Sequence, residues 1–113
     1  MNAIKNKVQL IGNIGQTPEL KELDGGKKVI NFSLATNEVY TNAAGEKVTN
    51  TAWHNVVAWG KTAEHLQKFA TKGSQLAIDG KLTYRSYDNK DGQTITTTEI
   101  LVNEFLAMGK NEN

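Results

Sequence analysis

The sequence predicts an all-β protein: a five-stranded barrel with one α-helix between strands 3 and 4. Several runs alternate apolar and polar residues, as strands with one buried face do. Turn-forming segments such as Asp24-Gly25-Gly26 separate these runs, because glycine adopts positive φ at no steric cost. Residues 61–73 instead show the spacing of a helix.

The three strands before the helix follow from their side-chain patterns. Residues 4–14 mix apolar and polar positions and stop at Gly15. Residues 28–36, "KVINFSLAT", alternate regularly, with Ile30, Phe32 and Leu34 on one side. A polar loop containing Gly45 then leads to the third strand, which carries the only two tryptophans of the chain, Trp53 and Trp59.

The helical run, "KTAEHLQKFATKG", places Ala63, Leu66, Phe69 and Ala70 on one stripe, and Gly73 suits the position after its last turn. Two more strands follow, "SQLAIDGKLTYRSY" and "QTITTTEILVN", joined by "DNKDG". This order is that of the OB-fold, a platform for oligonucleotides, although the pattern also fits another small β-barrel. We expect one domain over residues 1–105 and a short, partly disordered C-terminal end over residues 106–113.

Composition limits the class of protein. The chain of 113 residues is long enough for one compact core, and its net charge of +1 does not by itself indicate a nucleic-acid ligand. It contains no cysteine, so disulfides and thiolate metal sites are excluded. The first residues lack the apolar stretch of a signal peptide, and no apolar run reaches the roughly 20 residues of a membrane span. We therefore expect a cytoplasmic protein.

No motif for catalysis or metal binding is complete in this sequence. Gly60-Lys61-Thr62 resembles the end of a phosphate-binding loop, but the leading glycine is replaced by Asn55. "YDNKDG" lacks carboxylates at the first and last ligand positions of a calcium loop and is predicted to be a hairpin tip. Neither histidine has the spacing of a metal site, and no catalytic constellation is present. We expect no enzyme activity, no catalytic residue, no metal and no cofactor.

The two tryptophans allow two interpretations. In an ideal strand residues 53, 55, 57 and 59 share a face, so both indoles lie on the same side. Tryptophan is usually well buried, which favours a core role. Tyr40, Tyr84 and Tyr87 near strand ends, interleaved with lysines and Arg85, instead favour a surface on which the bases of a single-stranded nucleic acid stack.

The chain resembles bacterial single-stranded DNA-binding proteins of the OB-fold type. The resemblance runs from about residue 4 to residue 103. Several blocks occur in the family's order, which is more specific than any one motif. They are "NKVQLIGNIGQTPE", "FSLATNE", "WHNVVAWGKTAE", "KGSQLAIDGKL" and "TTTEILVN".

The resemblance implies binding of single-stranded DNA without marked sequence preference, usually by homotetramers, during replication, recombination and repair. The family's base-stacking aromatics correspond to Tyr40, Trp53, Trp59 and Tyr87. Its phosphate-contacting cations correspond to Lys7, Lys61, Lys72 and Arg85. Its subunit interface corresponds to Asn6, Val8, Leu10, His54 and Gln75. Tyr84 has no such counterpart, and we expect it to pack or to cover the surface. The expected location is the nucleoid region of the cytoplasm.

The end of the chain departs from the family pattern. Typical members continue into a long flexible tail whose acidic tip recruits replication and repair proteins, whereas this sequence ends at "MGKNEN". We therefore expect strand coverage without tail-dependent recruitment. Two rival functions stay open at this point: a primosomal or RNA-binding OB module, and a β-barrel enzyme with an unrecognised site.

Overall fold

This computed structural model describes residues 5–110 of the chain, which form six strands and one helix. The strands are β1 Val8–Ile14, β2 Glu19–Glu22, β3 Lys28–Thr41, β4 Lys47–Trp59, β5 Ser74–Asp88 and β6 Thr94–Lys110. The helix, α1, spans Gly60–Phe69 and lies between β4 and β5.

The five longer strands close into a barrel. β1 pairs with β5 along most of its length and with β3 at its end, while β4 joins β6 in the parallel pairing Val56↔Ile100 and Val57↔Leu101. The remaining neighbours, β3 with β4 and β5 with β6, are antiparallel. This architecture confirms the predicted five-stranded OB-fold barrel with its helix between barrel strands 3 and 4. The short β2 adds one further strand on the edge of β3.

Side-chain alternation fills the barrel. In β3 the predicted face of Ile30, Phe32 and Leu34 is buried, and α1 closes one end with Ala63 and Leu66. Two glycines allow strands to approach closely. A Cβ at Gly12 would collide with the carbonyl oxygen of Ala35, and one at Gly80 would collide with that of Leu101. The core members are Ile14, Ile30, Phe32, Leu34, Val56, Ala58, Ala63, Leu66, Ala70, Leu76, Ile78, Ile100 and Val102.

The helix ends earlier than its apolar stripe predicts. Ala70 is its C-cap, and the Ala70 N–H donates to the carbonyl of Leu66. Gly73 has a φ of +83° but serves the turn into β5, where its N–H donates to the carbonyl oxygen of Ile14. Phe69, a member of the predicted stripe and the last residue of the helix, is 56% exposed, and its ring centroid lies 6.4 Å from that of Phe105.

Two hairpins extend beyond the barrel as arms. Residues 36–41 and 47–52 form the β3–β4 arm, and residues 83–88 and 94–99 form the β5–β6 arm. Their tips have the same design: the side-chain oxygens of Asn42 and Asn89 each accept two backbone N–H groups, and Gly45 and Gly92 supply positive φ. "YDNKDG" therefore leads into a hairpin tip, as predicted. Each arm is thus closed by a defined turn.

The last strand crosses the predicted boundary of the domain at residue 105. β6 runs to Lys110, and Leu106 and Ala107 pair with Ala77 and Leu76 of β5. Alternating backbone pairing with β5 thus continues into the segment that we expected to be a separate end. The first residues of the predicted domain, 1–4, and the last of the predicted end, 111–113, lie outside the described residues.

Candidate nucleic-acid interface

β4 presents both tryptophans on the outside of the barrel. Trp53 is opposite Ala35 and Trp59 is opposite Val29 in the pairing with β3, while the intervening Val56 points into the core. Trp53 is 62% exposed and Trp59 is 46% exposed, which excludes the core interpretation. At about 3.3 Å per residue, the two indoles stand roughly 20 Å apart along the strand.

The β5–β6 arm adds a cation and an aromatic ring to the same outer face. Leu82 is paired with the core residue Ile100, so the alternate positions Arg85 and Tyr87 face outward. Tyr87 is 49% exposed. The parallel pairing of β6 with β4 makes this face continuous with the tryptophan face of β4. The structure therefore brings Trp53, Trp59, Arg85 and Tyr87 onto one surface.

An open groove of about 810 Å³ crosses this surface. Trp53 and Asn55 lie on its β4 side, and Arg85, Thr97 and Glu99 lie on its β5–β6 side. The remaining lining residues come from the β1–β2 connection, β2, β3 and the β4 residue Val56; they are Gly15, Gln16, Thr17, Pro18, Glu19, Lys21, Asn31, Phe32, Ser33 and Val56. Such a groove combines an aromatic face with many hydrogen-bonding groups, as a nucleic-acid site does.

A second, smaller depression of about 580 Å³ lies beside Trp59. Its cations are Lys27, Lys28 and Lys61. Lys28 forms an ion pair with Glu64 of the helix, which lowers the pKa of the Glu64 carboxyl below its ordinary value and raises that of the Lys28 amine. The stacking candidate Trp59 is thus surrounded by positive charge that one carboxylate only partly balances.

Two tyrosines lie away from the groove. In β3, Tyr40 is on the same side as the core residue Leu34, and it is therefore on the opposite side of the β3–β4 arm from Trp53. Tyr84 alternates with Arg85, faces the other side of its arm, and is 68% exposed. The structure consequently separates the predicted stacking residue Tyr40 from the other three, and it shows little packing for Tyr84 within the chain.

The four predicted phosphate contacts differ in their electrostatic surroundings. Lys7 lies 3.0 Å from the carboxylate of Asp79, and the Arg85 guanidinium lies 3.1 Å from that of Glu99. Lys61 and Lys72 form no ion pair within residues 5–110. The other two cations therefore already have counter-charges.

Lys72 adjoins the large groove through its backbone, whose N–H donates to the hydroxyl of Thr17 at 3.0 Å. Lys61, in contrast, borders the depression beside Trp59. The two cations without ion pairs thus stand next to different parts of the candidate interface.

Sequence reasoning missed Glu99, although its carboxylate lies in the groove. Its side chain is only 13% exposed, and its backbone carbonyl accepts the Thr83 hydroxyl. The ion pair of Arg85 with Glu99 is diagonal, since Arg85 is opposite Thr97 and Glu99 is opposite Thr83, and it depends on how the two side chains are oriented across the strands. Alternation along "TTTEIL" shows only that Glu99 and the buried Ile100 point to opposite sides.

The predicted interface residues have mixed surroundings within the chain. Asn6 makes two hydrogen bonds to the backbone of Leu82, which extend the pairing of β1 with β5. Val8 and Leu10 pack against this chain's own core, so the outward positions of β1 are Gln9 and Ile11. The ring of His54 is hydrogen-bonded to Thr36 at 2.9 Å, and Gln75 is half-buried between Asn13 and Gly109.

Other kinds of site receive no support from the described residues. Over residues 5–110, no three histidine or acidic side chains are grouped so that they would hold a metal ion. Within the same range, the chain has no helix of the length and hydrophobicity needed to cross a bilayer.

Comparison with known proteins shows which family has this sequence and fold. The model of the Single-strand binding protein family matches residues 5–108. The "Single-stranded DNA-binding protein 1" of Chlorobaculum tepidum is 40% identical over 109 residues, covering 96% of this chain and 67% of that protein. A Neisseria meningitidis "Single-stranded DNA-binding protein" is 38% identical, with 96% of this chain and 63% of that protein covered. The chain thus spans about two thirds of these relatives.

Solved structures agree with the sequence comparisons. The Plasmodium falciparum SSB complex with ssDNA has a TM-score of 0.80 and 34% identity, covering 94% of this chain and 95% of that one. A deletion mutant of the single-stranded DNA binding protein from Thermus aquaticus has a TM-score of 0.78 and 25% identity, covering 91% of this chain and 50% of that one. This chain belongs to the single-strand binding protein family.

Proposed function

We propose that this protein binds single-stranded DNA without sequence preference and covers exposed strands during replication, recombination and repair in the cytoplasm. It acts by binding and not by catalysis. The observation that carries the proposal is the pair of exposed tryptophans on one outer face, which is continuous with Arg85 and Tyr87. The single-stranded DNA in the related Plasmodium falciparum complex supports the choice of ligand.

Base stacking explains why such a surface is indifferent to sequence. Every base has a π-face, and stacking on an aromatic side chain contributes roughly 1–3 kcal/mol per base. Trp53, Trp59 and Tyr87 offer such faces on one side of the molecule. Tyr40 contributes a fourth only when the strand passes around the β3–β4 arm, since it faces the other way. A bound strand that uses all four rings would bend around that arm.

Phosphate contacts supply the second part of the affinity. Lys61 beside Trp59 and Lys72 beside the groove are available without breaking an ion pair within residues 5–110. Arg85 and Lys7 contact phosphate in competition with Glu99 and Asp79. Neutralised phosphates release counterions, so binding weakens as salt rises.

A fluorescence titration with poly-dT tests the proposal. Stacking should quench the emission of Trp53 and Trp59, and competing RNA or duplex DNA should displace poly-dT poorly. Tyr87→Ala should weaken binding, whereas Tyr84→Ala is a matched control, because it removes a more exposed ring on the opposite side of the same arm. Absence of quenching, or stronger binding of RNA, would favour the rival functions.

We further propose that the protein is a homotetramer. Ile11, Ala77 and Leu106 lie side by side across β1, β5 and β6, and Ile11 and Leu106 are 57% and 66% exposed. Within residues 5–110, the second edge of β1 pairs with β3 only at Asn13 and Ile14. A second copy covers both the apolar row and the free strand edge, and the number of four copies rests on the resemblance to the single-strand binding protein family.

A further inference from the structure

Gly15 lies at the edge of the groove, directly after β1. Its N–H donates to the carbonyl oxygen of Ser33 at 3.0 Å, which holds the β1–β2 connection against β3. A Cβ built on Gly15 would stand 2.7 Å from Cζ3 and 3.2 Å from Cη2 of Trp53. Both atoms belong to the six-membered ring of the indole. That ring therefore rests on the chain where Gly15 has no side chain.

The backbone at this position does not itself require glycine. The φ of Gly15 is not positive, so an alanine fits its backbone conformation. The nearest atom after the two indole carbons is the carbonyl oxygen of Ser33, at an ordinary 3.7 Å from the built Cβ. A methyl group at Gly15 would thus displace the indole rather than strain the barrel.

We infer that Gly15 is a positioning residue for Trp53, an inference that rests on the function proposed above. The indole is 62% exposed, so the core does not fix it, and contact with Gly15 limits the orientations that it adopts. Held in this way, the ring forms one wall of the groove that also contains Arg85 and Thr97. A base that enters the groove meets a ring already in place.

The first test is a double-mutant cycle read by oligo-dT affinity. Gly15→Ala should weaken binding about fivefold or more, in line with the lower end of the loss of one stacked base. The same change should have little further effect in a Trp53→Ala background, because residues in contact are not additive. In a Trp59→Ala background, Gly15→Ala should still weaken oligo-dT binding by the same factor as in the parent. This background serves as the matched control.

The second test needs no DNA. In a Trp59→Phe background, Trp53 is the only tryptophan, and Gly15→Ala should shift its emission maximum or its quenching by acrylamide in the free protein. If the parent protein fails to bind oligo-dT, the proposed function falls, while this readout still decides whether Gly15 positions the indole.

Folding of the variants completes the test. We expect Gly15→Ala to melt at the temperature of the parent, because the displaced ring is exposed. If Gly15→Ala unfolds and the double variant Gly15→Ala/Trp53→Ala does not recover, the barrel and not the indole requires glycine. That result, an unchanged Trp53 spectrum, or an equal loss of affinity in the Trp53→Ala background would each overturn the inference.

Discussion

The Glu99 carboxylate should reduce the share of Arg85 in the salt dependence of DNA binding. In the free protein the guanidinium lies 3.1 Å from Glu99, whose side chain is 13% exposed, whereas that of Arg85 is 64% exposed. A phosphate that reaches Arg85 must therefore share it with a carboxylate already in the groove. Lys61 has no such partner within residues 5–110.

The expected sizes follow from counterion release. Each phosphate contact on a single strand contributes about 0.7 to the slope of log affinity against log salt. Lys61→Ala should flatten the slope by that amount, whereas Arg85→Ala should flatten it by only about half as much if the guanidinium divides its charge. In a Glu99→Gln background, Arg85→Ala should recover the full change of about 0.7. Glu99→Gln alone should tighten binding at low salt by at most about 1 kcal/mol, since the pair is partly exposed.

The assay is a titration of oligo-dT by the parent and these variants at four or more salt concentrations, with melting curves as a control for folding. Equal slope changes for Arg85→Ala in the parent and in the Glu99→Gln background would show that Glu99 does not compensate the charge of Arg85 in the complex. No slope change in either background would remove Arg85 from the path of the DNA.

Three further results are expected. Trp53→Ala and Trp59→Ala should each weaken oligo-dT binding by roughly 1–3 kcal/mol with unchanged melting, because both rings are exposed; unfolded variants with normal affinity per folded molecule would contradict this. Light scattering at micromolar concentration should show a tetramer that Leu106→Glu breaks into smaller species, and a monomeric parent would refute the assembly. Lys28 lowers the pKa of Glu64 from 4.5, so the stability that this pair adds is present above pH 4.5 and lost as pH falls through the lowered value. The difference in melting temperature between the parent and Glu64→Gln should shrink from pH 7 to pH 3. A difference that grows as the pH falls would contradict the loss of this ion pair on protonation of Glu64.

The barrel was predictable because its signals are local. Alternation in β3 identifies its buried face, and the glycine-containing turns and the one helical run place the elements in OB-fold order. That Trp53 and Trp59 share one face also follows from their spacing of six residues, since strand side chains repeat every two, but the spacing leaves open whether that face is buried or exposed.

The rest of the site depends on register and tertiary contacts. Arg85 is opposite Thr97 and Glu99 is opposite Thr83, so their ion pair is a diagonal contact across β5 and β6 that an alternation pattern does not show. That Tyr40 faces away from Trp53 is likewise not predictable from alternation in either strand, because the two faces are related only through the pairing of β3 with β4. The helix ends at Phe69, earlier than its apolar stripe predicts, for a similar reason. The N–H of Gly73 donates to the carbonyl oxygen of Ile14 on β1, and this long-range contact fixes the turn after the helix.

The asparagine-centred turns at the tips of the two arms have a thermodynamic consequence. Because Asn42 and Asn89 each accept two backbone N–H groups of their turns, we expect the arms to be formed before a ligand arrives. A segment that folds during association shows a large unfavourable entropy and a heat-capacity change that reflects its folding. Calorimetry of this protein with a short oligonucleotide should therefore report mainly the ordering of the DNA itself, with little contribution from the polypeptide.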